Sequence, residues 1–481
     1  MRGRVVIHVV GLLTAFAGAS MLVPAVVALI YREAAALQLI LSAAFTMACG
    51  TLAYRLTRPI ADISIRDGFA IVTLGWVAVA AFGSMPFLLT GSIPSPTGAF
   101  FETLSGFTTT GATVVSSIDV LPRGIVLWRS QTQWMGGMGI IVLSVAILPL
   151  LGVGGMQLLQ AEIPGLAPDR IRPRVRQTAA LLWVVYAILT AAEVVLLLFG
   201  GMTGFEAVNH AFTTMATGGF STEDGSIGAF EAPYLQYVIA FFIVLAGINF
   251  TLHYNWLTGN WRAVLRNPEL RVYLAILAVS TGLLTIIVHL PGHVEGGLEA
   301  SFRAAFFQSA SLMTTTGYAT IDYELWSPAA HVLLVLLMLI GGCTGSTAGS
   351  VKVLRHMLVA KEARISLRKL LHPAGVFVYK LNGRTVSEDV LASVSGFLLL
   401  YLGALAMGVL ALALLGLDAR TAVGAAVATL GNVGPGLGLV GPSTTHAGMS
   451  GAELWVMSAL MLLGRLEIFT VIILFTRGYW R

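Results

Sequence analysis

The chain has 481 residues, 57% hydrophobic and only 11% charged, with 28 Lys and Arg against 23 Asp and Glu for a net charge of +5. A soluble protein carries about 25% charged residues, so this chain lacks the charge to cover a water-facing surface and is not a soluble globular protein. The uncharged runs 5–30, 68–101, 130–161 and 325–351 each exceed the about 20 apolar residues that a helix needs to cross a bilayer.

Arg2 and Arg4 precede the first run as they would in a signal peptide. Its apolar stretch is longer than the roughly 7–15 residues of a signal core, so it reads as a retained first helix. Hydropathy predicts ten spans, near 5–30, 37–54, 68–90, 130–151, 178–200, 233–257, 272–290, 328–351, 390–416 and 452–476. With the N-terminus in the cytoplasm, the cytoplasmic segments hold 22 of the 28 basic residues, and the outer segments hold five: Arg32, Arg123, Arg129, Arg303 and Arg420. That asymmetry is the positive-inside rule, and it places both termini in the cytoplasm. The net positive charge is therefore topological and calls for no nucleic-acid partner. The outer segments carry acids, among them Glu102, Asp119, Glu206, Glu223, Asp224, Glu299, Asp322 and Glu324. A negative outer mouth concentrates cations, although ordinary outer-loop acidity accounts for the pattern nearly as well. Cys49 and Cys343 lie in apolar surroundings and read as two unpaired buried thiols.

Four outer connections are too long to be turns, and each holds a short apolar stretch running into glycine: 98–113, 204–221, 299–320 and 418–438. Aligning them superimposes Gly111, Gly219, Gly317 and Gly434, at spacings of 108, 98 and 117 residues. A near-constant period marks a repeated structural unit, here a span, a short re-entrant helix, an extended Gly-containing strand and a second span. The predicted fold is an all-α membrane protein of ten transmembrane helices: four pseudo-symmetric helix–pore-loop–helix repeats (65–165, 166–260, 261–370 and 371–481) behind a two-helix N-terminal extension (1–64). Extended backbone inside a bilayer leaves peptide groups unpaired unless it lines water or is buried in protein. Four copies around one axis would solve this by turning their carbonyls onto dehydrated cations in single file, as the carbonyl rings of potassium filters do. Glycine is expected where carbonyls must share a direction, because positive φ is free only to glycine. The candidate ion-binding residues are Thr109, Thr110, Gly111; Thr217, Gly218, Gly219; Thr315, Thr316, Gly317; and Asn432, Val433, Gly434. The short helices would aim their negative C-terminal ends at a cation on the axis.

The stretches TTTGAT (108–113), MATGGFST (215–222), MTTTGYAT (313–320), GNVGPGLG (431–438), CTGSTAGS (343–350) and LGRLEIFT (463–470) resemble those of the Trk/Ktr/HKT superfamily of potassium transporters, most closely its TrkH/TrkG branch. The resemblance covers essentially the whole chain. It implies potassium uptake across a bacterial inner membrane through a pseudo-fourfold pore, a homodimer, and a cytoplasmic nucleotide-binding regulatory subunit of the TrkA type. Two extra N-terminal spans fit the Trk branch. The fourth stretch departs from TTTG and offers fewer hydroxyls, as it does in the family.

The eighth span reads GGCTGSTAGS after residue 340, poor material for a continuous helix. A broken helix at mid-membrane depth must be buried or line a cavity. The expectation is an inner gate built from Gly341, Gly342, Gly345, Ser346, Thr347 and Gly349, with close small-residue helix packing as the alternative. Arg465 falls within a span, where a charge needs a partner or water. It is expected to face the path beneath the strands and touch this loop; pairing with Glu193 is the alternative, Glu467 being on the wrong helix face. Glu193, Asn249, His253 and Asn255 read as interhelical hydrogen-bonding groups. No nucleotide, zinc-protease or CxxC motif is present, so the chain is not read as an enzyme and calls for no organic cofactor, with potassium as its cargo. The basic segments 166–176 and 352–384 are candidate docking surfaces for a partner, or for lipid headgroups. A secondary transporter coupling potassium to sodium or protons is the alternative function.

Overall fold

The computed structural model of the chain describes residues 3–57, 64–142, 171–375, 377–378, 380–381 and 384–480. Helix dominates; the described strands are a two-residue antiparallel pair, Lys380–Leu381 with Arg384–Thr385. Six described helices are long and apolar enough to cross a bilayer: Gly3–Ile30, Ala35–Leu56, Arg66–Thr90, Gln177–Phe199, Pro268–His289 and Glu388–Leu414. Their outward faces are lipophilic, with Phe16, Leu41, Val184 and Leu399 all exposed. The chain is thus a multi-pass helical membrane protein.

Ten straight spans are not what the described residues contain. The predicted spans 233–257 and 452–476 are each two helices, Pro233–Ala246 with Phe250–Leu257 and Gly451–Arg465 with Phe469–Phe475, bent by 102° and 110°. Counting each bent pair as one gives eight. The predicted span 328–351 stops at Ile340, where Gly341 takes φ 79° and ends a helix of 13 residues. The fourth, 130–151, is described as Arg123–Val142; its remainder lies outside the described residues, as do 166–170 of the first docking segment. The bends have local causes. Asn249 caps the helix after the first bend by accepting from Thr251 N, and Glu467 and Ile468 both adopt positive φ at the second.

The N-terminal pair packs through small residues. Added side chains at Gly11, Gly18 and Gly50 would run into the backbone of the facing helix, so these glycines let Gly3–Ser20 and Ala35–Leu56 approach closely, as in lipid where no hydrophobic drive holds helices together. Among the described residues neither Cys343, which is buried, nor Cys49, which is only half-buried, forms a disulfide. His253 bonds the Leu245 carbonyl at 2.9 Å across the first bend. With the Asn249 cap, these contacts tie one bent pair together rather than bridging distant helices.

Candidate functional site

Four short helices descend to one place: Pro96–Phe107, Gly204–Met215, Gly297–Met313 and Ala419–Leu430. Three start on side-chain caps, Ser95, Thr203 and Asp418, and the fourth starts on the left-handed Gly296. Their ends are alike to within tenths of an ångström. Thr110, Gly218, Thr316 and Val433 each donate a backbone N–H five residues back, all at 2.8 Å. The residue before each donates three residues back, at 2.9 to 3.2 Å. This pair of bonds is the Schellman helix end, whose left-handed residue is usually glycine. Here that residue is Thr109 (φ 51°), Thr217 (φ 53°), Thr315 (φ 60°) and Asn432 (φ 55°). Left-handed geometry at a β-branched residue is strained, at about 1–3 kcal/mol each. Two residues on, Gly111, Gly219, Gly317 and Gly434 are left-handed again (φ 84°, 78°, 82° and 99°).

The glycines form a closed, directional ring. A Cβ on Gly111 would overlap the Gly218 carbonyl oxygen; on Gly219, that of Thr316; on Gly317, that of Val433; on Gly434, that of Thr110. Each glycine thus gives up its side chain to the carbonyl preceding the next glycine, and the fourth returns to the first. The sequence reading assigned glycine here for its φ; the close approach of the next segment is a second, independent demand. Hydroxyls line up behind the ring, with Thr108 against Thr110 and Thr314 against Thr316 at 2.8 Å each, while Asn432 Nδ2 donates to Thr110 Oγ1 at 3.0 Å. Gln133, which the sequence reading missed, donates to the Gly218 carbonyl at 2.6 Å and accepts from Phe220 N at 3.1 Å. One lone pair of that carbonyl is therefore already taken by protein.

A cavity of about 170 Å³ is lined by all four glycines together with Glu223, Asp224 and His446. Glu223 is the acid of this lining whose titration is displaced. Burial first, then the negative charges of Asp119 and Glu206, raise its carboxyl above the usual range, with Asp224 adding to them and the Thr222 hydroxyl opposing. Glu102, expected among the outer-mouth acids, is buried instead. It pairs with the equally buried Arg129 at 2.8 Å, so it adds no free negative charge there.

The segment after Ile340 packs against the ring's opposite side. Gly349 N donates to Thr315 Oγ1 at 2.6 Å, and Thr347 Oγ1 donates to the Met215 carbonyl at 3.0 Å and the Ala246 carbonyl at 3.2 Å. Cys343 N donates to Gly247 O and Phe250 N to Gly345 O, so the segment rests in the first bend. Arg465, buried, donates Nη1 to the Thr347 carbonyl at 2.9 Å. Glu467 pairs with Arg355 at 2.6 Å, and its strained positive φ is what points it there. Lys352 Nζ donates to the Ala348 carbonyl, and Glu269 Oε1 accepts from Thr344 N at 2.6 Å. Gly341, Gly342, Gly345, Ser346, Thr347, Gly349 and Arg465 thus share one cluster, in contact with Thr315 of the ring.

These features define a membrane-embedded helical protein whose broken helices converge on four glycine segments. The model of the TrkH family, described as cation transport protein, matches residues 36–479. The chain is 40% identical over 485 residues to the Trk system potassium uptake protein TrkH of Escherichia coli K12, with 100% of each chain covered. It is 35% identical over 483 residues to that strain's Trk system potassium uptake protein TrkG, covering 99% of each. The crystal structure of the potassium transporter TrkH from Vibrio parahaemolyticus superposes with a TM-score of 0.92 at 38% identity, over all of both chains. The chain belongs to the TrkH family of cation transport proteins, a family of transporters and not of enzymes.

Proposed function

We propose that this protein takes up potassium ions through the ring of glycine segments, with the Gly341–Gly349 segment as an inner gate. The observation that carries the reading is the closed cycle of Gly111, Gly219, Gly317 and Gly434, each packed on the next segment's carbonyl. Alternating signs of φ through Thr109–Gly111, Thr217–Gly219, Thr315–Gly317 and Asn432–Gly434 are the geometry that turns successive carbonyls to one side. Such carbonyls replace the ion's hydration shell. Four helix C-termini nearby add partial negative charge. The names of the relatives, potassium uptake proteins, support potassium as the cargo. Gly218 is the weakest of the proposed ligands, because Gln133 shares its oxygen.

In this reading the segments are four repeats of one pore (65–165, 166–260, 261–370 and 371–481) behind the 1–64 extension. The chain sits in a bacterial inner membrane with both termini cytoplasmic. It forms a homodimer and takes nucleotide control from a TrkA-type subunit, needing no organic cofactor of its own. The gate is closed when Thr347 and Gly349 hold their bonds beneath the ring, and Arg465 places a positive charge beside the path. Gly317→Ser tests the central claim. A side chain there meets the Val433 carbonyl, so potassium uptake or its preference over sodium should drop at least about tenfold, in line with overpacking of a fitted site. Unchanged uptake and selectivity, measured in potassium-uptake-deficient cells with rubidium, caesium and sodium as competitors, would refute the assignment.

A further inference from the structure

Nine residues before each ring glycine stands a residue on the short helix, and two after it stands a residue on the outgoing strand. The four pairs are Glu102 and Thr113, His210 and Ser221, Gln308 and Ala319, Ala425 and Gly436. They are joined very differently. Glu102 Oε1 accepts from Thr113 Oγ1 at 2.9 Å and Oε2 from Val114 N at 2.9 Å, while Arg129 Nε donates to Oε1 and Arg129 Nη2 donates to Thr113 Oγ1 at 3.2 Å. The Arg129 guanidinium lies 4.2 Å over the Phe220 ring, so the cluster also braces the residue after Gly219. His210 Nδ1 faces the Glu206 carbonyl at 2.9 Å and so carries the proton, leaving Nε2 to accept from Ser221 Oγ at 3.1 Å. Gln308 is buried, and neither atom of its amide has a partner among the described residues. The fourth pair has no polar side chain of its own; the Gly436 carbonyl instead accepts from Tyr323 Oη at 3.1 Å.

The side-chain bond within each pair therefore weakens around the ring, from a charged cluster through a neutral hydrogen bond to none. A buried ion pair contributes little net stability, but it fixes geometry because each partner is left exposed to a large penalty when the other moves. We propose that Glu102 and Arg129 are positioning residues that set cation discrimination, holding the outer arm of the first strand at the spacing potassium requires. They act through Thr113 and do not touch the ion. The proposal rests on the reading of the ring as the cation path.

The experiment is reversal-potential measurement in proteoliposomes, with Thr113→Val, which keeps shape and removes the hydroxyl, against Thr113→Ser, which keeps it. Thr113→Val should lower the potassium-over-sodium permeability ratio roughly tenfold, the worth of about one charge-assisted hydrogen bond. Thr113→Ser should stay within about twofold of the parent, a spread expected when the bonded group is retained. Equal ratios in Thr113→Val and the parent overturn the proposal. Should Thr113→Val not yield folded protein by gel filtration, Glu102→Gln replaces it, because its amide N–H would face Val114 N–H; an unchanged ratio there overturns the proposal too. A parent protein that does not distinguish potassium from sodium defeats the proposed function itself, whatever the variants do.

Discussion

Thr109, Thr217 and Thr315 sit in a backbone region that β-branched residues avoid. Their strain is held by the Schellman bonds on one side and the ring on the other, and strain of this kind collects where geometry serves function. The sequence pointed to these threonines as candidate ion-binding residues but not to their left-handed backbone, since no local rule places a β-branched residue at positive φ. Glu223 offers a second test at this scale. Its carboxyl titrates above the ordinary range, so acidifying the outside should neutralise it at a higher pH than an isolated glutamate. Its charge is present above that pH and lost below, and the pull on external cations is lost with it. Potassium conductance at low ionic strength should therefore fall on mild external acidification, and Glu223→Gln should start lower and lose that step. An identical pH profile in the variant would show that Glu223 does not act on entering ions.

At the level of elements, the broken helices matter most. Glycine content revealed the break after Ile340, because Gly341, Gly342 and Gly345 crowd a short stretch. The bends after Ala246 and Arg465 were not legible: each follows an apolar run that reads as continuous helix, and tertiary bonds, from Cys343 to Gly247 and from Arg465 to Thr347, add to the local features that hold them. The Gly341–Gly349 segment is held by several hydrogen bonds, each worth about 0.5–1.5 kcal/mol net. Removing Gly345–Ala348 deletes the Thr347 contacts and should raise potassium flux several-fold in cells. Arg465→Ala should raise it as well, by withdrawing a positive charge and freeing the Thr347 carbonyl. Loss of flux in both variants, with normal amounts of protein in the membrane, would remove the gating role.

For the whole molecule, composition alone made the membrane class legible. The basic residues also leave a usable surface. The helix Val353–Leu371 begins four residues after Gly349 and exposes Arg364, Arg368 and Lys369. A regulatory subunit seated on this helix would reach the Gly341–Gly349 segment through Ser350, Val351 and Lys352 alone. Changing those three residues to Gln should weaken capture of a TrkA-type subunit and flatten its salt dependence, because exposed charges act through screened attraction. Potassium passage through the chain alone should not change. Capture that is indifferent to both salt and the substitutions would place the docking surface elsewhere. What the sequence could not convey is how unequal four similar stretches become once folded. Glu102 reads as one more outer acid until Arg129, 27 positions later, is seen against it.

The order in which the glycines touch bears on how the molecule is made. Contacts run from the first segment to the second, third and fourth, and only the last returns to the start. A ribosome feeding this chain into the membrane has delivered roughly nine-tenths of it before Gly434 can meet Thr110. Until that moment the first three segments lack the contact that closes the circle. Carrying all four quarters on one polypeptide thus leaves the circle of contacts unclosed until the fourth segment has been made.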